Sequence, residues 1–289
     1  MSETIWVLQG ESLRIDEVKK NVLSFFAPEK LSQGADWIRF GHSRKVDDQK
    51  LEALKKEYRL DIATVDAGLK LADFDAVFFD MDSTLCSTET LDEIAAILGV
   101  GEECARITHD AMTGKIADYA ASLRARVALL KGMPADCIDT VYAGMKPNLG
   151  VETFLKALQA GGLKTYIVSS GFTCLTERMR ERLSMTATCA NRIEIVDGKF
   201  TGRVFGPVDD TILDASGKAA FVQKTMTELA SNTHRAICCG DGSNDIKMID
   251  LAGFGVGFRP KPILRPHCSV TLDYVGFDAL LNLFADTAK

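Results

Sequence analysis

Short apolar runs and longer stretches of helical spacing alternate along most of this chain. Residues 73–79, 163–168, 234–239 and 253–258 are compact apolar runs. Runs of that length suit strands buried on both faces of a parallel sheet. Between them, 151–160, 173–183 and 218–230 have helical patterning. Repeated strand–helix alternation predicts an α/β fold with helices on both faces of a parallel sheet. Ahead of that unit, 4–8, 37–40 and 61–65 read as strands, and 15–26 and 47–58 as amphipathic helices. Val18, Val22, Phe25 and Phe26 supply the apolar stripe of the first helix. This predicts a small α+β domain over 1–70 and a larger unit over 71–289.

Residues 88–146 interrupt the alternation. Helical patterning covers 89–98, 116–130 and 134–142, with no strand between. A helical insertion directly after the first strand of the larger unit can close over that strand's end as a cap. Residues 193–204 carry Asp197-Gly198 between extended stretches, which predicts a hairpin at the rim of the sheet. The stretch 277–284 is amphipathic and predicts a final helix.

Composition narrows the function. The 289 residues are 46% hydrophobic, enough for a large core with a smaller one attached. A formal charge of -6 disfavours nucleic acid as a partner, because phosphate backbones need concentrated positive surface. No apolar run approaches membrane-spanning length, and residues 1–10 lack a signal-like pattern, so a cytoplasmic protein is expected. The eight cysteines include no C-x-x-C pair and read as buried free thiols of a reducing compartment. Adjacent Cys238 and Cys239 should point to opposite faces of a strand.

The polar clusters fall just beyond the carboxyl ends of the strands, where open α/β sheets place ligands. Asp80 and Asp82 follow the first run. One carboxylate can attack phosphorus, and the other can give a proton to the leaving alcohol and later take one from water. Thr84 can brace the loop or hydrogen-bond to a carboxylate. A turn or helix-cap cluster is the competing explanation for D-x-D alone. Ser169, with Ser170 and Gly171, can hold a phosphoryl oxygen near a helix N-terminus, although a serine N-cap with a glycine turn fits equally in isolation. Lys218 can supply charge at the start of the 218–230 helix, with Lys224 and Lys199 as alternatives. Asp241 and Asp245 lie one turn apart and offer hard oxygen ligands suited to Mg²⁺ with Asp80 and the main-chain carbonyl of Asp82. In the insertion, Glu89 can pair with an amine, and Arg124 or Arg126 with a carboxylate.

Taken together, FDMDSTL (79–85), ETLDEIA (89–95), SLRARVALLKG (122–132), SSGF (169–172), the hairpin, GDGSNDI (240–246) and Lys261-Pro262 resemble the haloacid-dehalogenase superfamily, in its phosphoserine-cleaving branch. The resemblance covers about residues 73–285. It implies a Rossmann-like core with parallel sheet, an inserted helical cap, and Mg²⁺-dependent hydrolysis of O-phospho-L-serine to L-serine and phosphate in serine biosynthesis. It also implies Asp80 as nucleophile, Asp82 as general acid/base, and Ser169 and Lys218 on the phosphoryl group. Asp80, Asp82 and Asp241 become metal ligands, with Asp245 supporting them. Glu89, Met112, Tyr119, Arg126, Ser170, Gly171 and Asn244 become substrate-side contacts.

Three departures from the family pattern stand out. Ser170 replaces a common glycine and must tolerate the backbone there. The stretch 112–126 is one residue longer than usual, and Tyr119 stands where phenylalanine is common. The N-terminal domain occupies the place of ACT-like domains in longer relatives; a homodimer contact, an amino-acid site and simple packing on the core are its candidate roles. The competing functions are a related phosphatase or phosphotransferase acting on phosphothreonine, phosphohomoserine or another small metabolite, and a non-enzymatic amino-acid sensor.

Overall fold

The computed structural model describes residues 4–28, 30–41, 46–112, 115–116 and 118–287. Its first block alternates β1 (Thr4–Gln9), α1 (Asp16–Phe26), β2 (Leu31–Gln33), β3 (Trp37–Gly41), α2 (Asp48–Tyr58) and β4 (Asp61–Asp66). The strands form a four-stranded antiparallel sheet in the order β2-β3-β1-β4. Strand β2 goes beyond the sequence pattern, which it escapes because all three of its residues are exposed. Helix α1 buries Val22 and Phe26, while Phe25 of the expected stripe is exposed. The Asp47 side chain accepts from the Lys50 N–H and caps α2, which explains why the helix starts one residue late.

Strand alternation divides this block's contacts. Leu8, Ile38, Phe40 and Leu60 join Leu13, Val22 and Phe26 in a core of their own. Ile5, Val7 and Val65 join the main core instead. The sheet thus packs its helices on one face and the rest of the molecule on the other.

The larger unit begins with β5 (Ala76–Phe79) and enters the cap: α3 (Thr90–Ile97), α4 (Gly101–Met112), α5 (Tyr119–Ala128) and α6 (Cys137–Gly144). Helix α4 lies outside the predicted helices; Gly99 precedes it and Gly101 opens it, and both interrupt the pattern. After the cap come α7 (Val151–Ala160), β6 (Lys164–Phe172), α8 (Thr173–Arg182), β7 (Ala187–Val196), β8 (Lys199–Phe205), α9 (Ala215–Glu228), β9 (Ala236–Gly240), α10 (Ile246–Leu251), β10 (Phe254–Phe258) and β11 (Val270–Leu272). The seven-stranded sheet runs β11-β10-β9-β5-β6-β7-β8. All neighbours are parallel except the β7–β8 hairpin, whose Asp197 and Gly198 both take left-handed dihedrals.

Several expected boundaries move: α5 begins at Tyr119 and α6 at Cys137, each three residues after the expected start. Helix α9 starts at Ala215, capped by Asp214, so Lys218 lies within its first turn instead of opening it. The final segment is a tighter 3₁₀ helix over Phe277–Asn282. Strand β5 buries Val77 and Phe79 on one side, and Ala76 and Phe78 on the other. Cys239 and Cys238 divide between the same two cores, and all eight cysteines are free thiols. No helix among the described residues is long and apolar enough to cross a membrane.

Candidate active site

The site forms where β5, β6 and β9 end, because these three are adjacent in the sheet. Asp80 directly follows β5 and is 3% exposed. The chain then makes a wide turn, closed by Leu85 N–H to Asp80 O (3.1 Å) and Cys86 N–H to Met81 O (2.9 Å). Ser83 takes a left-handed φ of 55° within it. A non-glycine residue in that region is strain held by its surroundings, which is common at functional sites. The turn brings the Asp82 carboxylate under the cap. Its Oδ2 accepts from Thr90 Oγ1 (2.8 Å) and Thr90 N–H (3.2 Å). Its Oδ1 is buried without a partner. Burial, with Glu89 nearby, raises the Asp82 carboxyl to about 7.

Lys218 reaches the centre from α9 and is wholly buried, 2.9 Å from Asp80 Oδ1 and 2.8 Å from Asp245 Oδ1. Burial opposes its charge, but the two carboxylates outweigh that and raise its pKa above the ordinary lysine value. Burial raises the Asp80 carboxyl well above the usual range; Asp245 adds to this and Lys218 opposes it. The alternatives Lys224 and Lys199 are exposed, and Lys224 lies 3.8 Å from Glu228.

Asp245 is held by the protein through both oxygens. Its Oδ2 accepts from the N–H groups of Asp241 (3.0 Å) and Gly242 (3.1 Å), while Oδ1 takes Lys218. Gly240 makes room for it, since a Cβ there would meet the Asp245 carboxylate at 2.4 Å. Asp241 keeps a freer Oδ1, 3.4 Å from Thr84 Oγ1, and its Oδ2 lies 3.0 Å from Lys261 Nζ. Thr84 thus faces Asp241, while its carbonyl accepts from Asn148 Nδ2 (2.7 Å). Asp80, Asp241 and Asp245 each offer an oxygen within 4.8 Å of the others. Such an all-oxygen donor set fits a hard divalent cation.

Ser169 is buried at the bend of β6, and its Oγ accepts from Gly171 N–H (3.0 Å). A Cβ on Gly171 would meet Ser169 Oγ at 3.1 Å, Thr90 Oγ1 at 3.4 Å and Asp82 Oδ2 at 3.6 Å. The absence of a side chain there lets three functional groups converge. Ser170 is not among the residues with positive φ, so its side chain costs no left-handed strain. Its carbonyl accepts from Asn191 Nδ2 (2.8 Å) and Tyr119 Oη (3.4 Å). Asn244 lies nearby, its Nδ2 3.5 Å from Asp80 Oδ2.

From the cap, Tyr119 therefore touches the floor of the site. Burial raises its phenol, while Arg126 and Lys218 act in the opposite sense from within electrostatic range. Arg126 Nε is buried without a hydrogen-bond partner, whereas Arg124 is exposed. Glu89 is exposed at the cap's entrance and accepts from Ser83 Oγ (2.6 Å). Met112 ends α4, and its side chain lies outside the described residues. Sequence reasoning missed the contributions of Thr90 and Asn191. Thr90 adjoins Glu89 in a recognised motif, but Asn191 has no local signature.

A family model for haloacid dehalogenase-like hydrolases matches residues 77–250. The chain belongs to that family. Within it, the chain is 41% identical over 225 residues to a phosphoserine phosphatase of Polaromonas sp., covering 78% of this chain and 94% of that one. It is 34% identical to a phosphoserine phosphatase of Haemophilus influenzae, covering 96% and 82%. The solved structure of a HAD family hydrolase from Salmonella enterica serovar Typhi superposes with a TM-score of 0.85 at 29% identity, covering 99% of both chains. The last match includes the N-terminal sheet.

Proposed function

We infer that this enzyme is a phosphoserine phosphatase, hydrolysing O-phospho-L-serine to L-serine and phosphate. The observation that carries this reading is the buried Asp80–Lys218–Asp245 chain beside Asp241, under a cap with an unpartnered arginine nitrogen. Asp80 Oδ1 is held by Met81 N–H and Lys218, leaving Oδ2 the freer oxygen to attack phosphorus. As the Asp80–phosphorus bond forms, the ester P–O bond breaks and Asp82 gives its proton to the departing serine oxygen. Asp82 then takes a proton from water. That water's oxygen attacks phosphorus, and the Asp80–phosphorus bond breaks to release phosphate.

Lys218, Ser169 and the neighbouring N–H groups hold the phosphoryl oxygens. Mg²⁺ is the proposed cation, held by Asp80, the Asp82 carbonyl and Asp241, with Asp245 orienting the loop. When bound, it supplies charge stabilisation to the phosphoryl group. The unpartnered Arg126 Nε and the exposed Glu89 suit the carboxylate and ammonium of an amino acid. Tyr119, Met112, Ser170, Gly171 and Asn244 complete the substrate side. We read 1–70 as a separate domain on the 71–289 unit, with 88–146 as its cap, and a cytoplasmic location for the whole.

Phosphate release from phosphoserine, phosphothreonine and phosphohomoserine with Mg²⁺ tests the substrate. A clear preference for phosphoserine is expected; preference for another ester would move the enzyme to a neighbouring specificity. Asp80→Asn should abolish turnover and phosphoenzyme formation, since an amide is a poor nucleophile. Full activity in that variant would sink the covalent route.

A further inference from the structure

The loop leaving β10 is built around Lys261. Pro260 and Pro262 flank it and restrict the backbone on both sides. Its N–H donates to the Asp241 carbonyl (2.8 Å), and its own carbonyl accepts from Leu264 N–H (2.9 Å). The side chain then returns to the same residue, placing Nζ 3.0 Å from Asp241 Oδ2. It passes beside Gly242, where a Cβ would come 3.5 Å from Nζ. One residue thus grips both the main chain and the carboxylate of Asp241. Unlike Lys218, it comes from the solvent side: its side chain is 62% exposed, against 8% for Asp241. The ammonium is also within electrostatic range of Glu89 and Asp245.

The formal charge of the cluster gives this contact a consequence. Asp80, Asp241 and Asp245 face the ammonium groups of Lys218 and Lys261, leaving one net negative charge. A divalent cation overshoots that balance by one unit, and a phosphoryl dianion reverses the excess. We propose that Lys261 competes electrostatically with the divalent cation at Asp241 and thereby makes cation binding depend on the phosphoryl group. The inference rests on the metal-assisted phosphatase reading above. By linkage, phosphate must tighten cation binding by the same factor that the cation tightens phosphate binding. Lys261 enlarges that factor because its largely exposed ammonium sits on Asp241 Oδ2 when phosphate is absent, where the cation must displace it, and moves to a phosphoryl oxygen when phosphate is bound, leaving the carboxylate to the cation.

Calorimetric titration of Mg²⁺ into the full-length wild type, K261Q, K261M and K261R, with and without saturating inorganic phosphate, tests this. Without phosphate, K261Q and K261M should bind Mg²⁺ roughly tenfold more tightly than wild type, as expected when a nearby like charge is removed. K261R should match wild type. Added phosphate should tighten Mg²⁺ binding more in wild type than in either neutral variant. K261Q keeps a hydrogen-bond donor and K261M does not, so agreement between them assigns the effect to charge.

Equal or weaker Mg²⁺ affinity in both neutral variants would overturn the proposal. Weakening in K261M alone would overturn it in favour of simple orientation of Asp241. Wild type that binds Mg²⁺ while K261Q is unchanged sinks only this inference. Wild type that binds no Mg²⁺ sinks the metal-assisted reading with it. The substitutions change an exposed side chain and leave the backbone grip in place, and thermal unfolding of each variant checks the fold.

Discussion

Asp82 keeps a proton to about pH 7 because burial and then Glu89 disfavour its anion. The protonated form falls away as pH rises through that value, so the proton donor proposed for the first step is lost there. The stability linked to its raised pKa is likewise present below the ordinary carboxylate range and lost as pH rises through about 7. The alkaline limb of kcat/KM for phosphoserine should therefore lie near pH 7. Glu89→Gln removes a negative neighbour, lowers the Asp82 pKa and should move the limb to lower pH; a pH–rate profile checks the direction. Thr90→Val removes a hydrogen bond to Asp82 and should cost about tenfold in kcat. Thr90→Ser should restore most of it. A serine variant as impaired as the valine one would make the Thr90 methyl group, not its hydroxyl, the important part. At this scale Asp80, Asp82 and Asp241 were legible as candidates because Asp80 and Asp241 directly follow strands and Asp82 comes two residues after Asp80. The bond from Thr90 to Asp82 was not, because it requires the Ser83 turn to fold the loop back.

Helix α9 shows how an element carries a candidate site residue. Asp214 accepts from Gly217 N–H (2.9 Å), fixing the turn that contains Lys218. Asp214→Ala should cost about 1 kcal/mol of stability, read by urea denaturation, the usual loss for an N-cap. Activity should fall further than that average stability loss suggests if fraying displaces Lys218. Sequence periodicity placed this helix but started it three residues late, since Ala215, Ser216 and Gly217 carry no strong apolar signal. It also missed α4 and β2, where glycine punctuation and exposure hide the pattern. Strand β6 runs longer than its apolar run, to Phe172, because pairing with β7 resumes at Phe172–Asn191 beyond a bulge. The cap has a second attachment that periodicity does not reveal. Gly132 N–H donates to Phe200 O (2.8 Å), and Phe200 N–H to Met133 O (2.9 Å), joining the segment after α5 to strand β8.

Across the whole molecule, Asp61 joins the N-terminal sheet to the larger unit. Its buried carboxylate accepts from the N–H groups of Asp273, Tyr274 and Val275, with the nearest contacts at 2.9 Å. Asp61→Ala would leave three part-buried N–H donors without their acceptor and should cost about 3 kcal/mol. Chemical denaturation measures that loss. An unchanged unfolding midpoint would show that these donors find water. Arg39 Nη1 to Phe284 O (3.1 Å) and Asn282 Nδ2 to Gln9 Oε1 (2.9 Å) join the same two parts.

The sequence by itself determined the α/β class and the strand ends that bear carboxylates, because apolar period and the residues of a turn are local properties. It also determined that phosphoryl chemistry was within reach of those ends. Only the tertiary structure decided which lysine meets Asp80, that Asp245 is held on both oxygens by protein donors, and that Lys261 grips Asp241. Those pairings join groups far apart in the chain. They depend on β5 lying between β6 and β9, and on the turn of each helix that follows.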